Sequence, residues 1–100
     1  MPFVVSWTAP ARGDVQDARR YYSAIDPRLD AALAEQLLRS ERLLRENPLI
    51  YPVVDQDLRR APLRRFPYAL FYLVENDEVI VVALMHYRRR RAARDELVRA

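Results

Sequence analysis

The sequence predicts an α+β domain: a short N-terminal strand, a long antiparallel helical hairpin, a three-stranded antiparallel sheet, and a short C-terminal helix or tail. Three observations predict it. In the first half, apolar residues recur at three- and four-residue spacing over two consecutive stretches. In the second half, two nearly continuous apolar runs are separated by the acidic turn Glu75-Asn76-Asp77-Glu78. The length of 100 residues, 51% of them apolar, fits a single domain spanning 1–100 around one core.

Phe3-Val4-Val5-Ser6-Trp7 alternates Phe3, Val5 and Trp7 on one face, the pattern of a short strand. Thr8 is placed to cap a helix opening at Ala9-Pro10, because proline is tolerated in a first turn. Val15, Ala18, Tyr22 and Ile25 then mark one amphipathic stripe over residues 9 to 24. Gly13, the only glycine, weakens this helix by about 1 kcal/mol relative to alanine. Asp26-Pro27 restarts a helix, with aspartate as cap and proline at the first helical position. Leu29, Leu33, Leu37, Ser40 and Leu44 form its buried stripe, and Asn47-Pro48 ends it, since the residue before proline disfavours helical geometry.

Residues 48 to 58 hold two prolines and no clear period, and are expected to be loop. Leu58 to Phe66 is expected to be a strand with Pro62 at an edge or bulge. Tyr68 to Val74 puts Tyr68, Leu70, Tyr72 and Val74 on one face, and Val79 to His86 is apolar enough to be a central strand covered on both faces. Ala92, Ala93, Leu97 and Val98 suggest the terminal helix.

Composition excludes several chemistries. No run approaches the roughly 18 consecutive apolar residues of a membrane span. Met1-Pro2-Phe3 lacks the opening of a signal peptide, so a cytoplasmic location is expected. Without cysteine there is no disulfide framework, thiolate metal site or thiol nucleophile. One histidine cannot build a His-based metal cluster, the acids form no ligand-spaced set, and a single glycine forbids a phosphate-binding loop. No serine sits in a nucleophile elbow. No metal and no cofactor are therefore expected.

The net charge of +3 is unevenly placed. Residues 1–50 carry seven arginines against seven acids, whereas residues 59–91 carry eight arginines against three acids, a net +5. All 17 basic residues are arginine, the composition a GC-rich genome produces. Arginine does not titrate at neutral pH, so His86 is the only basic side chain able to act as a general base. A sheet with a cationic rim fits a nucleic acid or an acidic protein segment. Arg59, Arg60, Arg64 and Arg65 are either a solvated strand face that discourages edge pairing or an anion or partner contact. Arg88, Arg89, Arg90 and Arg91 are either a contact patch or a solvated tail. His86, Tyr68 and Tyr72 each have a packing reading beside any functional one.

The element order, together with Ala9 and Asp14 at the helix start, Tyr21-Tyr22, Asn47-Pro48, Arg65-Phe66-Pro67-Tyr68 and Leu84-Met85-His86-Tyr87-Arg88-Arg89, resembles the RelE/ParE superfamily of toxins from bacterial type II toxin–antitoxin modules. The resemblance covers nearly the whole chain. It implies a growth-inhibiting toxin of a plasmid-stabilisation type system, neutralised by a cognate antitoxin in a hetero-oligomeric complex. RelE-like members cleave messenger RNA on the ribosome; ParE-like members have no nuclease site and inhibit DNA gyrase. The long hairpin and the His86-Tyr87-Arg88-Arg89 strand end resemble the ParE branch.

Metal-independent RNA cleavage needs a base for the 2′-hydroxyl, an acid for the leaving oxygen and cations for the phosphorane. Arginines meet only the last need. The absence of lysine argues against a RelE-type site, although Arg65, His86 and Arg88 would be its members if there were one. Three readings follow: a gyrase-binding toxin, a ribosome-dependent endoribonuclease, and a non-toxic binding module of the same fold. Under each, Arg59, Arg60, Arg64, Arg65, Tyr87, Arg88, Arg89, Arg90 and Arg91 are the expected antitoxin or target contacts. An acidic or amphipathic antitoxin segment would lie on the arginine-bearing sheet and the hairpin groove.

Overall fold

The computed structural model describes residues 2–86 and 94–98. Strand β1 (Val4–Trp7) leads into helices α1 (Ala9–Ile25) and α2 (Pro27–Glu46). A 3-10 turn (Pro48–Ile50), strands β2 (Val53–Asp55), β3 (Leu58–Pro62), β4 (Tyr68–Glu75) and β5 (Glu78–His86), and helix α3 (Arg94–Val98) follow. No described helix is long and apolar enough to cross a membrane.

The helix boundaries follow local chemistry. The Thr8 hydroxyl accepts a hydrogen bond from the Ala11 amide at 3.2 Å, and Pro10 sits in the first turn of α1. Asp26 separates the helices and serves both. Its amide donates to the Tyr22 carbonyl at 2.9 Å to close α1, and its carboxylate accepts from the Arg28 amide at 2.9 Å to open α2. Asn47 closes α2 through the Leu43 carbonyl, just before Pro48.

The sheet order is β1-β5-β4-β3-β2. β1 runs parallel to β5, and the remaining pairs are antiparallel. The sheet therefore has five strands where the sequence suggests a separate N-terminal strand and a set of three. β1 joins by a long-range parallel pairing, and the expected loop at 48–58 contains both a 3-10 turn and β2. The strand expected over Leu58–Phe66 stops at Pro62, which has no amide to donate, and residues 63–67 form a turn. Phe71 faces Ala83 and Tyr72 faces Val81, which leaves Val82 as a bulge in β5.

The main core lies between the hairpin and the sheet and includes Leu33, Leu37, Leu44, Leu70, Tyr72, Val79 and Val81. Each aliphatic side chain fully buried there contributes about 1.5–3 kcal/mol. A second cluster (Leu58, Ala69, Phe71, Leu73, Val82, Ala83) occupies the opposite sheet face, with Leu97 and Val98 of α3 packed against it. β5 is thus covered on both faces.

Where β1 ends, α1 completes the free edge of β5. The Thr8 amide donates to the Val81 carbonyl at 3.0 Å, and the Leu84 amide donates to the Asp14 carboxylate at 3.0 Å. The buried strand backbone is satisfied by the amide of the cap residue and by a carboxylate of the helix that follows β1. Helix α3 is held differently. The Arg94 amide donates to Asp55 at 2.7 Å and its guanidinium to Asp57 at 2.6 Å. This hydrogen bond holds the Asp57 carboxyl below the usual carboxylate range, against a smaller opposing effect of burial.

Asp14→Ala is expected to lower the unfolding free energy by about 1–3 kcal/mol in urea denaturation, because it strands the Leu84 amide. A depressed carboxylate pKa contributes stability above the unfolded value, about 3.9, and loses it as pH falls through the folded value. The methyl resonances of Leu97 and Val98 should therefore report undocking of α3 below about pH 4, before the sheet unfolds. Because Asp57 is more than half exposed (56%), added salt should weaken the same docking at neutral pH.

Candidate functional site

The sequence-predicted cations do not form one face. Arg59 and Arg60 are neighbours on β3, pair with Tyr72 and Phe71 respectively, and so lie on opposite sides of the sheet. The Arg59 guanidinium donates to the Tyr51 carbonyl at 2.5 Å and the Leu49 carbonyl at 3.4 Å. Beside it the buried Tyr72 hydroxyl donates to the Pro48 carbonyl at 2.6 Å. Arg59 and Tyr72 together pin the α2–β2 connection, so Arg59 serves the fold. Burial raises the Tyr72 phenol far above its ordinary value, with the Arg59 charge opposing.

Arg60 remains exposed on β3. Arg64 and Arg65 are also exposed, but they lie in the 63–67 turn and not on a strand. Arg65 adopts φ 70°, a left-handed conformation that a side chain with a Cβ disfavours by about 1–2 kcal/mol. Tyr87, Arg88, Arg89, Arg90 and Arg91 lie outside the described residues, as do Ala92 and Ala93.

His86 closes β5 opposite Tyr68, and the two rings meet edge to face at 5.7 Å. Tyr68 also meets Tyr22, which in turn packs on Phe66. Burial first, and the Tyr68 phenol second, raise the Tyr22 hydroxyl. His86 borders a cavity of about 390 Å³ between α1 and the sheet end, which Asp14, Asp17, Tyr21 and Tyr68 also line. Among the described residues this cavity contains two carboxylates and no arginine. The described lining supplies none of the cations a phosphorane needs, and Arg88, the remaining cation of the RelE-type set, lies outside the described residues. Arg65, the other described member of the RelE-type set, is on a separate element. No three His, Asp or Glu side chains among the described residues gather as metal ligands.

A larger surface was not legible. The hairpin opens a groove of about 450 Å³ lined by Trp7, Val15, Leu37 and Leu38, with Arg12, Arg19 and Glu41 at its rim. The Trp7 indole donates to Glu41 at 2.7 Å, and Arg12 donates to the Trp7 carbonyl at 2.6 Å, so the groove wall is held rigidly. Leu38 is 64% exposed. Leu38 gave no distinct signal in the sequence, because position i+1 beside Leu37 still falls within the roughly 100° apolar stripe of a core-facing helix.

A family model described as the ParE toxin of the type II toxin–antitoxin system parDE matches residues 5–91. No curated protein matches the chain. Among solved structures, the chromosomal ParDE system from P. aeruginosa aligns with a TM-score of 0.74 at 16% identity, covering 84% of this chain and 95% of that one. The toxin–antitoxin complex RelBE2 from Mycobacterium tuberculosis aligns with a TM-score of 0.59 at 23% identity, covering 86% and 99%. At these identities the two structures show the shared fold.

Three arginine substitutions should separate structure from surface in urea denaturation. Arg59→Ala is expected to cost about 1–2 kcal/mol by freeing two carbonyls. Arg64→Ala should stay within about 0.5 kcal/mol of the parent. Arg65→Gly should raise stability by up to about 1 kcal/mol by relieving the left-handed backbone.

Proposed function

The chain belongs to the ParE toxin family, and from that premise we propose that it is the toxin of a type II toxin–antitoxin, plasmid-stabilising module, that it inhibits DNA gyrase by binding it in the cytoplasm, and that a cognate antitoxin holds it inactive. The observation that carries this reading is the family match over residues 5–91, which spans the hairpin and the sheet together. In the ribonuclease reading His86 would act with Arg65, in the 63–67 turn, and with Arg88, which lies outside the described residues.

The surfaces divide the work. The hairpin groove is apolar with a charged rim, the form that accepts the apolar face of an amphipathic helix. An antitoxin helix seated there would place apolar side chains against Trp7 and Leu38, and carboxylates near Arg12 and Arg19. Exposed Arg60, Arg64 and Arg65 offer cations to an acidic antitoxin or target surface. Antitoxin binding to the folded chain only would raise its apparent stability by mass action, about 2.7 kcal/mol at a hundredfold excess over Kd.

Purified protein is expected to block supercoiling by DNA gyrase and to leave ribosome-bound message intact. Cleavage of that message with gyrase untouched would overturn the reading. The substitution Leu38→Asp, at an exposed position, should leave the melting temperature unchanged and weaken antitoxin binding at least tenfold.

A further inference from the structure

Helix α3 reaches past the sheet face it covers. Arg94, its first residue, holds both sides of the β2–β3 turn. Its amide donates to the carboxylate of Asp55, the last residue of β2, at 2.7 Å. Its guanidinium donates to Asp57, inside the turn, at 2.6 and 3.4 Å. Between these two acids Gln56 adopts φ 54°, a left-handed backbone that a side chain with a Cβ disfavours. The clamp therefore spans a strained residue.

β2 has little to hold it on its own. It is three residues long, its ladder with β3 is irregular between Val53 and Asp55, and Val53 and Val54 are 51% and 42% exposed. A strand so short and so lightly buried is not fixed by its own burial. Its entry is held by Arg59 and Tyr72, which belong to β3 and β4 and stay in place as long as the sheet does. Its exit is held by a residue of α3. Helix α3 is itself lightly held: none of its residues is buried, and Leu97 and Val98 are the described side chains that pack on the second cluster from outside the sheet. The Asp57 partner is more than half exposed, so water and salt weaken the ion pair.

We propose that α3 is a regulatory latch on the outer sheet edge: β2 is seated only while Arg94 grips Asp55 and Asp57, and release of α3 frees β2 and uncovers the second sheet face in one step. Both events break the same contacts, so their coupling is reciprocal. A ligand that replaces Leu97 and Val98 on the face of Phe71 and Val82 loosens β2. A ligand that fixes β2 in place tightens α3. The opening is a local one, below the cost of unfolding the hairpin and the central strands. This inference stands on the fold and is independent of the gyrase reading.

Amide hydrogen exchange and methyl NMR on the full chain test it. Arg94→Ala should shift the Leu97 and Val98 methyl resonances. It should also speed exchange of the Arg60 amide, which donates to the Pro52 carbonyl at 3.3 Å, by about tenfold or more, with the amides of α1 and α2 unchanged. Leu97→Ser with Val98→Ser, which removes the apolar anchor and leaves Arg94 intact, should speed the Arg60 amide equally. In the parent, added salt should move the methyl shifts and the Arg60 exchange rate in step. Parental exchange at Arg60 in an Arg94→Ala chain whose methyl resonances have moved would show that α3 and β2 are independent, and would overturn the proposal. So would an α3 that stays docked without the Arg94 side chain. A rise in exchange shared by the whole sheet and hairpin would make the loss global and overturn it as well.

Discussion

The whole arrangement depends on one constraint: the backbone of β5 is buried, so every edge group must find a partner inside the protein. β4 satisfies one edge along its length. β1 satisfies the other only from Glu78 to Val81. Past that point Thr8 and Asp14 take over, at the cap and second turn of α1. The same hydrogen bonds that complete the sheet therefore fix where the hairpin lies across it. The groove between the helices, the aromatic cluster at His86 and the packing of Leu33 and Leu37 on the sheet all follow from that placement.

A second anchor sets the other half of the molecule. The Tyr72 hydroxyl and the Arg59 guanidinium reach three carbonyls of the 48–51 segment. This bends the chain out of α2 and delivers β2 to the sheet edge. The bend exposes Leu49 and Ile50 while burying Pro48. Arg60, one residue along, is left outside. Neighbouring arginines on one strand thus have opposite roles, because the pleat sends one side chain into the fold and the other towards solvent.

Elements with local causes were legible in the sequence. Asp26-Pro27 and Asn47-Pro48 mark the helix ends by capping and proline geometry, and the apolar runs around Glu75–Glu78 mark the central hairpin of the sheet. Elements with distant causes were not. The parallel union of β1 with β5 joins residues more than seventy positions apart, and nothing in Val4–Trp7 names its partner. β2 is three residues long and interrupted by a bulge, too short for an alternating pattern to register. The docking of α3 on the second sheet face depends on Asp55 and Asp57, which read from sequence as ordinary loop acids. Among the site candidates, the four arginines at 59–65 were visible as a charge run. Their division into one structural guanidinium and three exposed ones required the turn at 63–67 and the carbonyls of 49–51.

The chain has the family and the fold of the ParE toxins, and the account proposed for it is action by binding, through an apolar groove, a cationic turn and an uncharged sheet edge. The most direct test of that account is induced expression of this chain alone in a bacterium, with the DNA-damage response and translation followed in parallel. The account predicts filamentation and induction of the damage response while translation initially continues, as expected of a poisoned topoisomerase. Immediate loss of translation, with message cut at codon positions, would contradict it and make His86 the first candidate for a general base.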